Sequence, residues 1–360
     1  MKKLFYLSKK NIRSYGRKIS YSAAYIISII LTVDRKNCYS MSRETCFSSK
    51  KLYAFFKEAS NNSKDIRKHL IDKANSLYKT KEISSLVVDA SMLMKRFSRK
   101  IEGVTYDRNG VTSRIERGIS FVSIAWTNGK VTIPLDFDFW FNKKSVSSDK
   151  YREKSLIARD LILSLKDKLM FSLAILDGGF ASITMINFFK NNDLNYLMRI
   201  PKNRKVISEC GKFEQLQKHP ALKLKRNQRY KTIKALYKGI ACFITAHKRT
   251  NKNGGKQIVY LVSNVDVPPK KQAELYKIRW VIEKSYRTLK QKLGISDCQA
   301  TGLEKQRAHI LATFFAYANL EEQKLFKKKK SPEEILNRIR MQKTLHQFIE
   351  LNLLEETIMF

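Results

Sequence analysis

The stretch FSLAILDGGFASITMINFFKNNDLNYLMRI, residues 171–200, decides how this chain folds. Phe171 to Leu176 is a short apolar run that reads as a buried strand, and it ends on Asp177. Gly178-Gly179 breaks it, residues 181–191 have helical spacing, and Asn195 to Ile200 is a second short strand. A helix between two strands favours a parallel crossover. Upstream, Leu156, Ile157, Leu161, Leu165 and Leu169 predict a helix over 155–169. Earlier still, Ser85 to Val88 reads as a buried strand with Asp89 at its C-terminal end. Residues 117–126 and 130–137 read as two strands joined at Thr127-Asn128-Gly129-Lys130, an Asn-Gly turn that demands an antiparallel pair. The result is a mixed α/β fold, a sheet with parallel and antiparallel strands covered by helices.

Beyond this unit the composition shifts. From Lys202 to Lys256 there are 16 Lys and Arg against two acids, Glu209 and Glu214, so that segment alone carries +14. Arg229–Ile233, Ile240–Ala246 and Gln257–Val262 look like strands there. After Pro268-Pro269 a helix carries Tyr276, and another spans about 305–326. The four lysines 327–330 suggest a linker, and Ser331-Pro332-Glu333-Glu334 is a helix start, with Ser as N-cap and acids in the first turn. Before the sheet, Leu52, Phe55, Phe56, Ile66, Leu70, Ile71, Ala74 and Leu77 are spaced for short helices, forming either a packing module or a DNA-binding arm. The expected organisation is a basic helical region 1–80, a first core segment 81–200, a basic β-rich insertion 201–266, a second core segment 267–325 and a helical tail 326–360.

Across 360 residues, 71 Lys and Arg face 32 Asp and Glu, a net charge of +39 that far exceeds what solubility requires. A solvated surface or a compositional bias would explain basicity but not its clustering, so a polyanion, first of all nucleic acid, is the expected partner. Five cysteines show no CxxC pair and five histidines no ligand spacing, which argues against structural zinc and for a reducing compartment. The apolar run 22–33 is too short to span a membrane and reads as a buried helix. These features point to a cytoplasmic, nucleoid-associated protein.

The Tyr276 helix holds the most chemistry. At about 100° per residue from Tyr276, Arg279 falls near −60°, Lys290 near −40° and Glu283 near −20°, one face with a phenol, two cations and a carboxylate. Ile278, Val281, Ile282 and Leu289 lie behind, so this stripe is expected to look outward. Trp280 sits at its edge, where a nucleotide base is the expected stacking partner, and Arg287 widens the basic surface. Two strand-end aspartates and a helix glutamate could converge at one sheet edge and hold two hard cations for phosphoryl transfer. Each acid alone is weak evidence, since an Asp ending a strand is often a turn former or a helix N-cap, and for Asp177 that reading is about as good.

Together these residues resemble a known family. Tyr276, Arg279, Glu283 and Lys290 match, at every spacing, the Y-x2-R-x3-E-x6-K helix of bacterial DDE transposases of the insertion-sequence-four group. Asp177-Gly178-Gly179-Phe180 resembles its D-x-G-F motif and Asp89 its first aspartate, although Ala90-Ser91 follows Asp89 where many members have a residue and then Thr. The likeness covers about 84–320; the opening stretch 1–40 does not resemble the family's usual start. The resemblance implies a ribonuclease-H-like core with a β-rich insertion, and two Mg²⁺ or Mn²⁺ ions held by Asp89, Asp177 and Glu283. It also implies DNA contacts from Tyr276, Arg279, Lys290, Trp280 and Arg287. Its implied partner is double-stranded DNA, as terminal inverted repeats and as target, with a homodimer in the synaptic complex left open. The implied activity is cleavage at the ends of an insertion sequence and strand transfer. A non-mobile nuclease of the same fold and a non-catalytic DNA-binding protein from a decayed element are the alternatives.

Overall fold

The computed structural model describes residues 19–80, 82–110, 112–147, 151–209, 211–250, 254–326 and 331–341. The lysines 327–330 and the tail beyond 341 lie outside them, as do residues 1–18. Four helices come first: α1 (Tyr21–Leu31), α2 (Cys38–Glu44), α3 (Ser49–Ala54) and α4 (Ala59–Ser76). Ser20, Asn37 and Ser48 each accept a backbone N–H of the following first turn, so side-chain caps start the first three. The apolar run 22–33 is the buried α1, as its composition predicts. No helix among the described residues is long and apolar enough to cross a membrane.

The sheet is built from β1 (Ser85–Met94), β2 (Thr105–Arg108), β3 (Ile115–Thr127), β4 (Thr132–Trp140), β5 (Leu173–Leu176) and β6 (Tyr196–Ile200), then β7 (Lys205–Ser208), β8 (Phe213–Gln215), β9 (Tyr230–Tyr237), β10 (Ile240–Thr250) and β11 (Lys256–Ser263). The helix α5 (Lys154–Lys166) joins β4 to β5, and α6 (Ile183–Asn191) joins β5 to β6. Antiparallel pairs run β4–β3–β1, parallel pairs β1–β5–β6. This is the mixed sheet the 171–200 stretch implies. The hairpin expected at Asn128-Gly129 joins β3 to β4, with Gly129 at φ 83°, a left-handed turn position where glycine avoids strain.

Three details depart from the sequence reading. Asp89 does not end its strand; β1 runs on to Met94, because β3 pairs with it as far as Gly118. What stops at Asp89 is the parallel neighbour: the last β1–β5 pair is Val88–Leu176, so Asp89 and Asp177 leave the ladder side by side. The short β2 carries too little apolar periodicity to announce itself; it pairs with β3 at Thr105–Gly118. The basic segment does not interrupt the sheet either, since β11 pairs antiparallel with β6, and β10, β9, β7 and β8 continue one eleven-stranded sheet.

From Gly118 to Thr127 every β3 residue is buried, whichever face it points to, so helices cover both sides of the core sheet. The long α9 (Leu303–Phe326) lies against α1, α4 and β4, which places the N-terminal helices in the same apolar core. Ion pairs tie these layers at the β4 edge: Arg67 of α4 to Asp136 (2.7 Å), and Arg307 of α9 and Arg152 to Asp138 (2.7 and 2.8 Å). The last helix, α10 (Pro332–Met341), opens on the N-cap expected at Ser331, and the cap is a reciprocal box: Ser331 Oγ accepts Glu334 N while Ser331 N donates to the Glu334 carboxylate.

Inside this junction His309 is fully buried. Its Nε2 donates to Gly294 O (2.9 Å), which leaves Nδ1 to accept the Tyr25 hydroxyl (2.9 Å), joining α1, α9 and the loop before it. Burial holds its pKa down, at about 4. The unfolded chain therefore binds a proton between about pH 6.5 and 4 that the folded chain does not, and stability is lost as pH falls through that window. The expected loss is about 3 kcal/mol. In chemical denaturation followed between pH 7 and 4, His309→Gln should flatten this acid slope while lowering stability at pH 7.

Candidate active site

Two adjacent helices carry the site: α7 (Pro269–Lys277) and α8 (Trp280–Gln291). The single helix expected from the Tyr276 spacing is thus broken at Ile278–Arg279. Ile278 N bonds to Leu275 O and Arg279 N to Tyr276 O, the tighter i→i−3 pattern, while the backbone stays right-handed helical. The cause is that the two halves pack on different apolar clusters. Leu275 sits with Leu173, Ile175, Leu197, Val259 and Leu261; Ile282, Tyr286 and Leu289 enter the main core.

Arg279 stands at this break and points inward. Its side chain, 13% exposed, does not look outward with the stripe but enters the sheet edge and meets all three expected acids. The guanidinium lies 2.5 Å from Glu283 Oε1, 3.5 Å from Asp89 Oδ2 and 3.8 Å from Asp177 Oδ1. Tyr276 Oη donates to Asp177 Oδ1 at 3.4 Å. The residues read from three separate parts of the chain therefore surround one cation. Burial would lower the Arg279 pKa, but Tyr276, Asp177, Asp89 and Glu283 raise it on balance. Lys290 lies with its ammonium 5.8 Å over the Tyr286 ring, and the Tyr286 hydroxyl bonds Ser123, the β3 partner of Asp89. Burial lowers the Lys290 pKa while Asp89 opposes the shift, so Lys290 also belongs to the acid side of α8.

Beside the acids opens a cleft of about 870 Å³ between the β9–β11 strands and α7–α8. Nine Lys and Arg among the described residues line it, including Arg226, Arg229, Lys248, Lys256, Lys277 and Lys284, against one acid, Asp177. Trp280 is 38% exposed at its mouth, and its ring is not left to solvent alone: the Arg249 guanidinium stacks 5.1 Å away. Tyr230 and His247, paired across β9 and β10, stack at 4.9 Å along the same cleft. Arg287 is exposed further along α8. Sequence reading missed Arg249, His247 and Tyr230 individually; alternation along β10 puts His247 and Arg249 on one face and was the signal that could have found them.

Residues 146–319 match the family described as Transposase DDE domain. Among curated proteins none matches the chain significantly. The match spans α5 to most of α9 and so takes in Asp177, Glu283 and the cleft, while Asp89 on β1 lies outside it. A DDE domain implies a ribonuclease-H-like core, and the mixed sheet with its covering helices is consistent with one.

DDE transposases generally use divalent metal ions. Among the described residues no three His, Cys, Asp or Glu side chains are grouped closely enough to hold one, because the acids share Arg279 instead. The donor chemistry nevertheless fits hard divalent cations, which take carboxylate oxygens, and a cation already sits where the acids point.

Crowding leaves its mark on Asp89. Burial raises its pKa to about 6; Arg279 pulls it down, and Asp177 pushes it further up. The folded chain then holds a proton between about pH 3.8 and 6 that the unfolded chain has lost, so stability falls as pH rises through this window and stays lower above it. Asp89→Asn should therefore raise the stability of chelator-treated protein at pH 8 by about 3 kcal/mol, and the gain should shrink toward zero near pH 4. Thermal melts at the two pH values check it.

Proposed function

We propose that this protein is a DNA transposase of the insertion-sequence-four type, which cuts at the ends of its element and joins the freed 3′-hydroxyls to target DNA. The single observation that carries this reading is the meeting of Asp89, Asp177 and Glu283 around Arg279 beside a cleft of nine cations. The DDE match over 146–319 supports it.

In this reading Asp89, Asp177 and Glu283 would hold two Mg²⁺ or Mn²⁺ ions. Such ions, when bound, activate a water or 3′-hydroxyl and stabilise the leaving oxygen of a phosphoryl transfer. The chain's own residues do the rest. Arg279, paired with the acids in this structure, has a planar fork suited to DNA phosphate. Tyr276 orients Asp177 through its hydroxyl. Lys290, Arg287 and the lysines and arginines of the cleft neutralise the backbone, while Trp280, backed by Arg249, offers a ring face to a base.

Glu283→Ala should abolish cleavage of end-containing DNA while leaving duplex binding within a few-fold, because it removes a carboxylate and no phosphate contact. Undiminished cleavage by the purified variant would sink the assignment. A strand-transfer assay in the same series separates a transposase, which joins the cut ends, from a nuclease, which joins nothing. For Lys290→Ala the expected outcome is weaker duplex binding with a salt dependence shallower by about one unit of slope, measured by titration between 50 and 200 mM salt. An identical slope would mean that Lys290 makes no phosphate contact.

A further inference from the structure

A tight turn follows β1. Ser98 N donates to Lys95 O at 3.1 Å, closing a β-turn over Arg96 and Phe97, and Ile101 N donates to Ser98 Oγ at 3.2 Å. The base of the turn is fixed. Lys95 is buried, its ammonium donating to Ser296 O (2.7 Å) and Cys298 O (2.5 Å), and its N–H donates to Arg117 O. One shoulder is fixed as well, because Arg96 pairs with Glu116 at 2.7 Å. Phe97, at the tip, is 95% exposed.

One exposed apolar residue is ordinary on a protein surface. The setting of this one is not. From Lys95 to Arg117 there are seven Lys and Arg against three acids, Glu102, Asp107 and Glu116. All three acids are engaged within the protein, by Leu303 N, Lys154 and Arg96. Arg99, Lys100, Arg108 and Arg114 are exposed and enter no salt bridge among the described residues. Ile115, 76% exposed at the start of β3, adds a second apolar residue to this basic surface. A protein partner with an apolar surface would gain nothing from such a ring of unpaired cations, whereas a duplex has both the phosphates to pair with them and stacked bases to receive a ring.

We infer that the 95–98 turn is a wedge for double-stranded DNA: Phe97 presses into a base step while Arg99, Lys100 and Arg114 hold the flanking phosphates. This rests on DNA being the partner, as proposed above. The buried Lys95 reaches the loop after α8, so the turn stands at the end of the strand that carries Asp89, beside the helix that carries Glu283. At about 3.3 Å per strand residue Lys95 lies roughly 20 Å from Asp89. Along a duplex that is about six base-pair steps from the bond held at the acids.

The test uses the full chain and duplexes carrying 2-aminopurine, whose emission rises when it is unstacked, at successive positions. The unaltered protein should raise the emission over one or two neighbouring steps. Phe97→Ala should remove that rise and weaken binding by roughly tenfold or less, as for partial burial of one ring, with an unchanged salt slope. Phe97→Trp should retain the rise, and its tryptophan emission should be quenched when duplex is added. Because Phe97 is exposed, neither substitution disturbs the core. Normal duplex binding by the unaltered protein with no emission change, or an equal rise with Phe97→Ala, overturns the wedge and leaves the DNA-binding reading standing. Failure of the unaltered protein to bind duplex overturns both.

Discussion

Everything in the site depends on the repulsion of three carboxylates and on what offsets it. Asp89, Asp177 and Glu283 come from two strands and a helix far apart in sequence, and bringing them to one sheet edge is costly unless a positive charge stands among them. In this structure that charge is Arg279. Arg279 stands at the break between α7 and α8, where the chain passes from one apolar cluster to another. Core packing and active-site electrostatics are thus two aspects of one backbone feature.

The sheet supplies the second constraint. Ending the parallel β1–β5 ladder at Val88–Leu176 frees Asp89 and Asp177 together, one on a strand that continues and one at the start of a Gly-Gly turn. Because β11 pairs with β6, the basic strands are held rigidly to the same sheet as the acids. The cationic cleft therefore has a fixed position relative to the three acids, where a hinged arm would have to find them.

Much of this was legible in the residues. The 171–200 stretch showed its strand, acid, helix and strand because each has a distinct period, and the helices within 52–77, 155–169 and 305–326 announced themselves in the same way. The four positions Tyr276, Arg279, Glu283 and Lys290 do gather on the side of α7 and α8 that faces Asp89 and Asp177. What the pattern could not convey was direction. A helical wheel puts Arg279 and Glu283 on one face, as their i,i+4 pair bears out, but it cannot tell that this face meets the other acids rather than solvent. Nor does alternation report pairing. The length of β1 past Asp89 is set by β3, a later strand, and the Arg249 contact to Trp280 joins a strand to a helix that lies beyond the next strand and the Pro268-Pro269 step.

The buried Lys95 has a mechanical consequence. Arg279 links β1 to α8 at the acids, and the Lys95 ammonium links the far end of β1 to the loop that follows α8. Strand and helix are thus clamped like two rails joined at both ends. If the guanidinium lets go of the carboxylates, the second clamp still holds the rails in register.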